Sequence, residues 1–194
     1  MHIILGSQSP RRRELLHGMD IAFDAVTIDA DEHYPAELRQ GDIPRYISEA
    51  KAHAYADRLM PDDLLITSDT IVWLDGSVLG KPHDEEEACA MLRQLSGKTH
   101  QVYTAVTFTS LQDNGKAQPT TMVDCADVTF APLSEEDIRY YVSHYRPLDK
   151  AGAYGIQEWI GYTAATSIRG SFYTIMGLPV HLVHAYLSNL QKKQ

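Results

Sequence analysis

The chain has 194 residues, 44% of them hydrophobic and 22% charged, so it can bury the core of one domain of ordinary size and lacks the composition of a disordered segment. Its 26 acidic residues against 17 Lys and Arg give a formal net charge of -9, which argues against holding nucleic acid by broad phosphate neutralisation but leaves room for a small basic site. No run approaches the roughly 18 apolar residues of a membrane span, and MHIILGSQSP has too short an apolar run and no basic leader to be a signal peptide, so the expected location is the cytoplasm.

In chain order, His2 to Leu5 reads as a short buried strand, and Ser9 followed by Pro10 supplies an N-cap and a first-turn residue for a helix to about Met19. Phe23 to Ile28 alternates weakly as a second strand, followed by the acidic loop DADEHYP. Ile43, Ile47, Ala50 and Ala54 then recur at helical spacing and predict a helix up to Met60. Leu64 to Leu74 is apolar and β-branched, and Asp75-Gly76 returns the chain through SVLGKP as a hairpin. Asp84 with Glu87, and Ser134 with Asp137, start two further helices. Gln101 to Leu111 and Thr120 to Phe130 are long strands around the turn QDNGK, and Pro179 to about Leu190 carries a helical apolar face. With no internal repeat and no linker, residues 1–194 read as one mixed α/β domain.

Cys89 and Cys125 have no CxxC spacing and read as packing residues of a reducing compartment. The nine histidines make no metal-ligand pattern, and His181 with His184 reads as a surface or partly buried pair.

Polar groups inside apolar strands are where chemistry concentrates, because a buried carboxylate is costly unless it meets a cation or a metal. Asp69, between LLITS and TIVWL, is the clearest example; it either satisfies a turn or pairs with an arginine, or it serves a site. Arg11, Arg12 and Arg13 oppose the dipole of the helix they begin unless an anion binds there. First-turn amides, the hydroxyls of Ser7 and Ser9 and the guanidinium groups would together cradle phosphate, the alternative being a solvated basic face. Lys51, Lys81 and Lys150 are the other basic candidates. Asp29, Asp31 and Glu32 supply loop carboxylates that could join Asp69 on a divalent metal, since Mg²⁺ commonly takes one or two carboxylates plus substrate phosphates.

SQSPRR, SDTIV, GKP, LSGKTHQVYTAV, PLDKAGAYGIQ and GSFYTIMGLPV occur in an order that resembles the Maf family of nucleotide pyrophosphatases along nearly the whole chain. The resemblance implies a Maf/ITPase-like α/β fold, a mixed twisted sheet with flanking helices and two lobes around a central cleft, often as a homodimer. It also implies hydrolysis of a nucleoside triphosphate to monophosphate and pyrophosphate with a divalent cation, Mg²⁺ or Mn²⁺. The block ending in Gln157 is similar to the subfamily acting on dTTP and UTP, with modified pyrimidine nucleotides as further substrates. Matched by position, Asp69 corresponds to the proton acceptor, and Arg11, Thr70 and Gln157 to substrate-specificity positions. Ser7, Arg12, Lys51 and Lys81 correspond to phosphate contacts and Glu32 to a metal-site carboxylate, with Asp69 expected to share that metal. Gly6 stands where the family often has Ala, and Arg13 has no functional counterpart.

The implied chemistry is attack of water on the α-phosphorus with pyrophosphate leaving in line, the cations neutralising charge on the phosphoryl oxygens. A carboxylate is a weak base and nearby cations weaken it further, so Asp69 is expected to orient water or hold metal first, with base character secondary. Gln157 can donate and accept at a pyrimidine edge, the alternative being a loop or cap residue. The alternatives are a pyrophosphatase for 7-methyl-GTP or a non-standard purine triphosphate, and a nucleotide-binding regulator of septum formation. Neither a nucleic acid nor a membrane is an expected partner.

Overall fold

A computed structural model describes residues 1–192. The strand β1 (His2–Gly6) buries every residue after His2 and runs parallel to both β2 (Asp24–Val26) and β3 (Asp63–Leu74). Its register pairs Leu5 with Ile66, so the chain leaves β1 at Ser7 while β3 continues beyond that pairing to Asp69.

The helix α1 (Pro10–His17) starts at the proline, whose fixed φ suits a first helical position. Ser9 occupies the N-cap in extended backbone, but its side chain makes no capping bond; its N–H instead donates to Ser7 Oγ at 3.2 Å. The helix stops two residues short of Met19, where the Gly18 N–H closes on Glu14 O and Asp20 turns into the left-handed region.

The helix α2 (Asp42–Tyr55) buries Ile43, Pro44, Ile47, Ser48 and Ala52 and continues through a 3₁₀ turn at Ala56–Arg58. The expected stripe is therefore rotated, for Ala54 is exposed and Ala50 only half-buried. Ser48 explains the difference: its hydroxyl meets Thr107 Oγ1 at 2.5 Å, and its carbonyl accepts from Thr67 Oγ1 at 2.7 Å. A satisfied polar side chain can occupy the core face that hydropathy alone denies it.

Asp75 (φ 50°) and Gly76 (φ 85°) form the turn from β3 to β4 (Ser77–Leu79), both in the left-handed region that such a two-residue turn requires. In α3 (Glu85–Leu95) the Asp84 side chain accepts from the Glu87 N–H at 2.8 Å, and Glu87 reaches back to the His83 N–H at 2.6 Å. Ser134 caps α4 (Glu135–Tyr145) in the same way, between β5 (Thr99–Leu111), β6 (Ala117–Phe130) and the C-terminal elements. Those elements are α5 (Trp159–Ala164), β7 (Ala165–Arg169), α6 (Phe172–Met176) and α7 (Val180–Gln191). The mixed sheet has seven strands in the order β2-β1-β3-β5-β6-β7, with β4 on β3 and β7 antiparallel to β6.

Two compact units share these elements. The first comprises Met1–Asp69, Thr104–Asp124 and Gly177 onward; the second comprises Thr70–Tyr103 and Cys125–Met176. In the first, Ile4, Ala52, Leu59 and Leu65 form a core against Val26, Ile28 and Tyr55, and Phe108 stacks on Tyr186 with centroids 3.9 Å apart. In the second, α3 packs on α4, while His100, Phe130 and Tyr154 meet edge to face. Fully buried Leu and Phe side chains such as Leu5, Leu92 and Phe108 contribute roughly 1.5–3 kcal/mol each. Burial pushes the His100 pKa down to about 4, so its imidazole is neutral beside Tyr154 OH, 2.8 Å away. Cys89 is buried and Cys125 half-buried. Among the described residues no helix is long and apolar enough to cross a membrane.

Candidate active site

In the first unit the parallel pairing of β1 and β3 directs both strands the same way; Ser7 follows the C-terminal end of β1, and Asp69 lies three residues past the last pairing with β1, midway along β3. Crevices at such strand ends are where open α/β sheets take ligands. β3 is buried through Ser68, opens at Asp69 and Thr70, and is half-buried again at Trp73.

The Ser7 hydroxyl, itself buried, accepts from the Ser9 N–H and from Arg12 Nη1 at 3.3 Å. Arg12 Nε donates to Gly177 O at 2.7 Å, and Ser68 Oγ donates to the same carbonyl at 3.1 Å. Two bonds from separate nitrogens fix the guanidinium plane. Burial, the largest influence, lowers the Arg12 pKa from its ordinary value, Asp69 and Glu32 work against that fall, and Arg11 adds to it. Arg12 thus shares a field with Arg11 and both carboxylates. Arg13 is exposed and reaches back to Ser7 O at 3.4 Å, a structural contact on the turn.

Lys51, carried on α2, is the centre of this group. Its Nζ lies 2.8 Å from Asp69 Oδ1 and 2.8 Å from Glu32 Oε1. The Lys51 and Asp69 side chains are only 12% and 13% exposed, whereas Glu32 is 55% exposed at the loop. Removing one member of such a group would leave a poorly solvated charge without its partner. Ser7, Arg12, Glu32, Lys51 and Asp69 are therefore brought together, with Arg11 in electrostatic reach.

Two carboxylate oxygens drawn to one nitrogen are also a donor set that suits Mg²⁺ or Mn²⁺ completed by phosphate oxygens. No group of three His, Cys, Asp or Glu side chains that could hold a metal ion converges among the described residues.

The second unit holds Thr70, Lys81 and Gln157. Thr70 is half-buried on β3, and Lys81 is exposed just after β4. The Gly152 N–H donates to Gly80 O at 3.0 Å, tying the Lys81 segment to the AGAYGIQ loop. Gly152 (φ 67°) also lies against Val72, where a Cβ would approach Val72 Cγ2 to 2.9 Å. Gln157 is half-buried, and its Oε1 is a buried acceptor with no hydrogen-bond partner. His100 Nδ1 and Thr109 Oγ1 are likewise buried without a hydrogen-bond partner among the described residues.

Gly177 was not among the expected site residues. It acts through its carbonyl, which no side-chain motif announces; the signal available was a glycine before Leu-Pro, here at φ 108°. Lys150 is buried against Asp149 and Glu158 rather than presented to solvent.

The Maf-like protein family model matches residues 2–190. A dTTP/UTP pyrophosphatase of Bacteroides thetaiotaomicron is 53% identical over 189 residues, covering 97% of this chain and 95% of its own. One from Porphyromonas gingivalis strain W83 is 52% identical, covering 96% and 93%. A solved nucleoside-triphosphatase / dITP/XTP pyrophosphatase from Mycobacterium abscessus aligns at a TM-score of 0.42 and 14% identity over 69% of this chain and 76% of its own. A family match spanning nearly every residue, with relatives half identical along their length, makes this chain a member of the Maf-like protein family.

Proposed function

We propose that this chain is a dTTP and UTP pyrophosphatase that releases nucleoside monophosphate and pyrophosphate, as the names of its half-identical relatives suggest. The observation that carries the pyrimidine reading is the naming of relatives half identical along nearly the whole chain as dTTP/UTP pyrophosphatases, and Gln157, whose Oε1 has no partner within the chain, offers the amide that would read the base. A carbonyl oxygen accepts from the N3–H of uracil or thymine, and the same amide's NH₂ donates to a ring carbonyl. Cytosine has no N–H at that ring position, so the pair of groups discriminates by chemistry as well as by size.

In the reaction, a water oxygen bonds to the α-phosphorus while the bond from α-phosphorus to the bridging oxygen breaks, and pyrophosphate carries away the electron pair. Asp69 orients that water and receives its proton. Arg12, fixed on Gly177 and Ser7 before substrate arrives, and Lys51 face the charge that develops on phosphoryl oxygens. Ser7 and Lys81 are assigned to phosphate, and Arg11 and Thr70 to substrate selection alongside Gln157. Asp69 and Glu32 would hold a divalent cation, Mg²⁺ or Mn²⁺, which when bound neutralises phosphate charge and makes a coordinated water more acidic. A cytoplasmic homodimer belongs to the same proposal.

The test is a panel of UTP, dTTP, CTP, 7-methyl-GTP and ITP, with Mg²⁺ and with Mn²⁺, and separate detection of pyrophosphate and orthophosphate. Pyrophosphate from UTP and dTTP above the others is expected. Preference for 7-methyl-GTP or ITP would overturn the substrate assignment, orthophosphate as sole product would overturn the chemistry, and binding without turnover would favour a regulator.

A further inference from the structure

Gln157 stands in a tight turn. The Glu158 N–H donates to Gly155 O at 3.0 Å, which makes Ile156 and Gln157 the two central residues of a four-residue β-turn. Both ends of that turn are held by one atom of another element. Tyr141 on α4 accepts from the Gly155 N–H at 3.0 Å, and its hydroxyl donates to Glu158 Oε2. The other carboxylate oxygen, Oε1, lies 3.2 Å from Lys150 Nζ, which also binds Asp149 Oδ1 at 2.7 Å. Lys150 and Glu158 are 9% and 19% exposed, so this ion pair is poorly solvated.

The packing leaves the turn little freedom. A Cβ on Gly155 would approach Glu158 Cδ to 2.7 Å, so the glycine is required for the carboxylate to fold over the turn. Burial, and then the Glu158 carboxylate, raise the Tyr141 pKa and keep the hydroxyl a donor. The Tyr141 ring is itself fully buried. Tyr141 and Lys150 thus converge on the two residues, Gly155 and Glu158, that bound the turn carrying Gln157.

We propose that Tyr141, Glu158 and Lys150 are positioning residues for base recognition: they clamp the turn at Gly155 and Glu158 so that the Gln157 amide presents its carbonyl oxygen to the N3–H of a uracil or thymine ring. This rests on the pyrimidine reading above. An amide can meet cytosine as well as uracil by turning over, exchanging acceptor for donor. Selection of UTP over CTP therefore depends on holding the amide one way, and a site built around a required N–H discriminates strongly only while its geometry is fixed.

Steady-state kinetics with UTP and CTP on the full chain, for wild type, Tyr141→Phe, Glu158→Gln and Gln157→Met, tests this. Tyr141→Phe keeps the ring and removes the hydroxyl. It is expected to raise KM for UTP about tenfold with kcat within about twofold, and to lower the UTP/CTP ratio of kcat/KM about tenfold. Glu158→Gln, which keeps an acceptor for Tyr141 and the side-chain volume, should fall between wild type and Tyr141→Phe. Circular dichroism and a thermal melt accompany each variant; if Tyr141→Phe does not fold, the Glu158→Gln selectivity decides. Equal loss of kcat and kcat/KM for both substrates, or unchanged selectivity, would overturn the clamp. If Gln157→Met changes selectivity but the clamp variants do not, the positioning proposal alone fails. If Gln157→Met leaves selectivity intact, the pyrimidine reading fails and takes this one with it.

Discussion

Gln157→Met separates a ligand-facing group from a structural one by the sign of its effect on stability. The Gln157 Oε1 is buried without a partner, and a buried unsatisfied acceptor costs about 1–3 kcal/mol. Methionine has a similar length and no polar oxygen, so it relieves that cost in the free protein. Taking the lower end, about 1 kcal/mol, the melting temperature of a chain this size should rise by about 2–4 °C. The same change removes two hydrogen bonds to a pyrimidine ring, each worth about 0.5–1.5 kcal/mol, so kcat/KM for UTP should fall about 5- to 150-fold. Differential scanning calorimetry without nucleotide, beside steady-state kinetics, reads both quantities. A lower melting temperature with retained preference for UTP would show that Gln157 supports its own loop and that its oxygen is satisfied there.

Three further expectations follow from the same structure. Gly6→Ala places a methyl that overlaps Ile28 Cδ1 and approaches Thr67 Cγ2 to 3.0 Å; it should cost about 1–3 kcal/mol in urea unfolding, with Ile28→Val recovering part of the loss, and additive effects of the two changes would refute the contact. His2 bonds Asp63 at 2.8 Å and Asp24 at 2.9 Å, chiefly through Asp63, which raises its pKa above 6.5. A raised pKa means stability fully present below 6.5 and lost as pH climbs through the folded value, while Asp63, held below 3.8 mainly by the Met60 N–H, contributes above 3.8 and loses its contribution in acid. The thermal gap between wild type and His2→Ala should accordingly be wider at pH 5.5 than at pH 8.5, and a gap independent of pH would contradict it. Lys51→Met strips the ammonium shared by Asp69 and Glu32 and should cost about 2–3 kcal/mol, below the usual loss for a buried pair because Glu32 is more than half exposed. Millimolar Mg²⁺ should raise the melting temperature of that variant more than of wild type, and the absence of any Mg²⁺ effect would count against the two-carboxylate site.

Local chemistry made much of the fold legible. Pro10 announced α1, Asp75-Gly76 announced the β3–β4 turn, and the side chains of Asp84 and Ser134 cap the helices they were expected to cap. What stayed hidden was non-local. Ser48 reaches the core face of α2 only because Thr107, 59 residues on, meets its hydroxyl. The run from Trp159 to Met176 forms two short helices and a strand whose register against β6 shifts between Thr129 and Phe130, and nothing in its periodicity specifies that pairing. The site divides the same way. Residues such as Lys51 and Asp69 could be named from their types and from the family resemblance, but not the single ammonium serving Asp69 and Glu32. Gly177 binds Arg12 and Ser68 through a backbone carbonyl, and Tyr141 reaches Gly155 from 14 residues away; neither leaves a mark in residue type alone.

In the proposed reaction water attacks the α-phosphorus of a pyrimidine triphosphate with Asp69 directing it. Turnover of UTP in H₂¹⁸O, followed by mass spectrometry of both products, tests this most directly. One ¹⁸O in UMP, none in pyrophosphate, and no turnover by Asp69→Asn are expected. Label in the pyrophosphate, or an active Asp69→Asn variant with unchanged metal dependence, would contradict it.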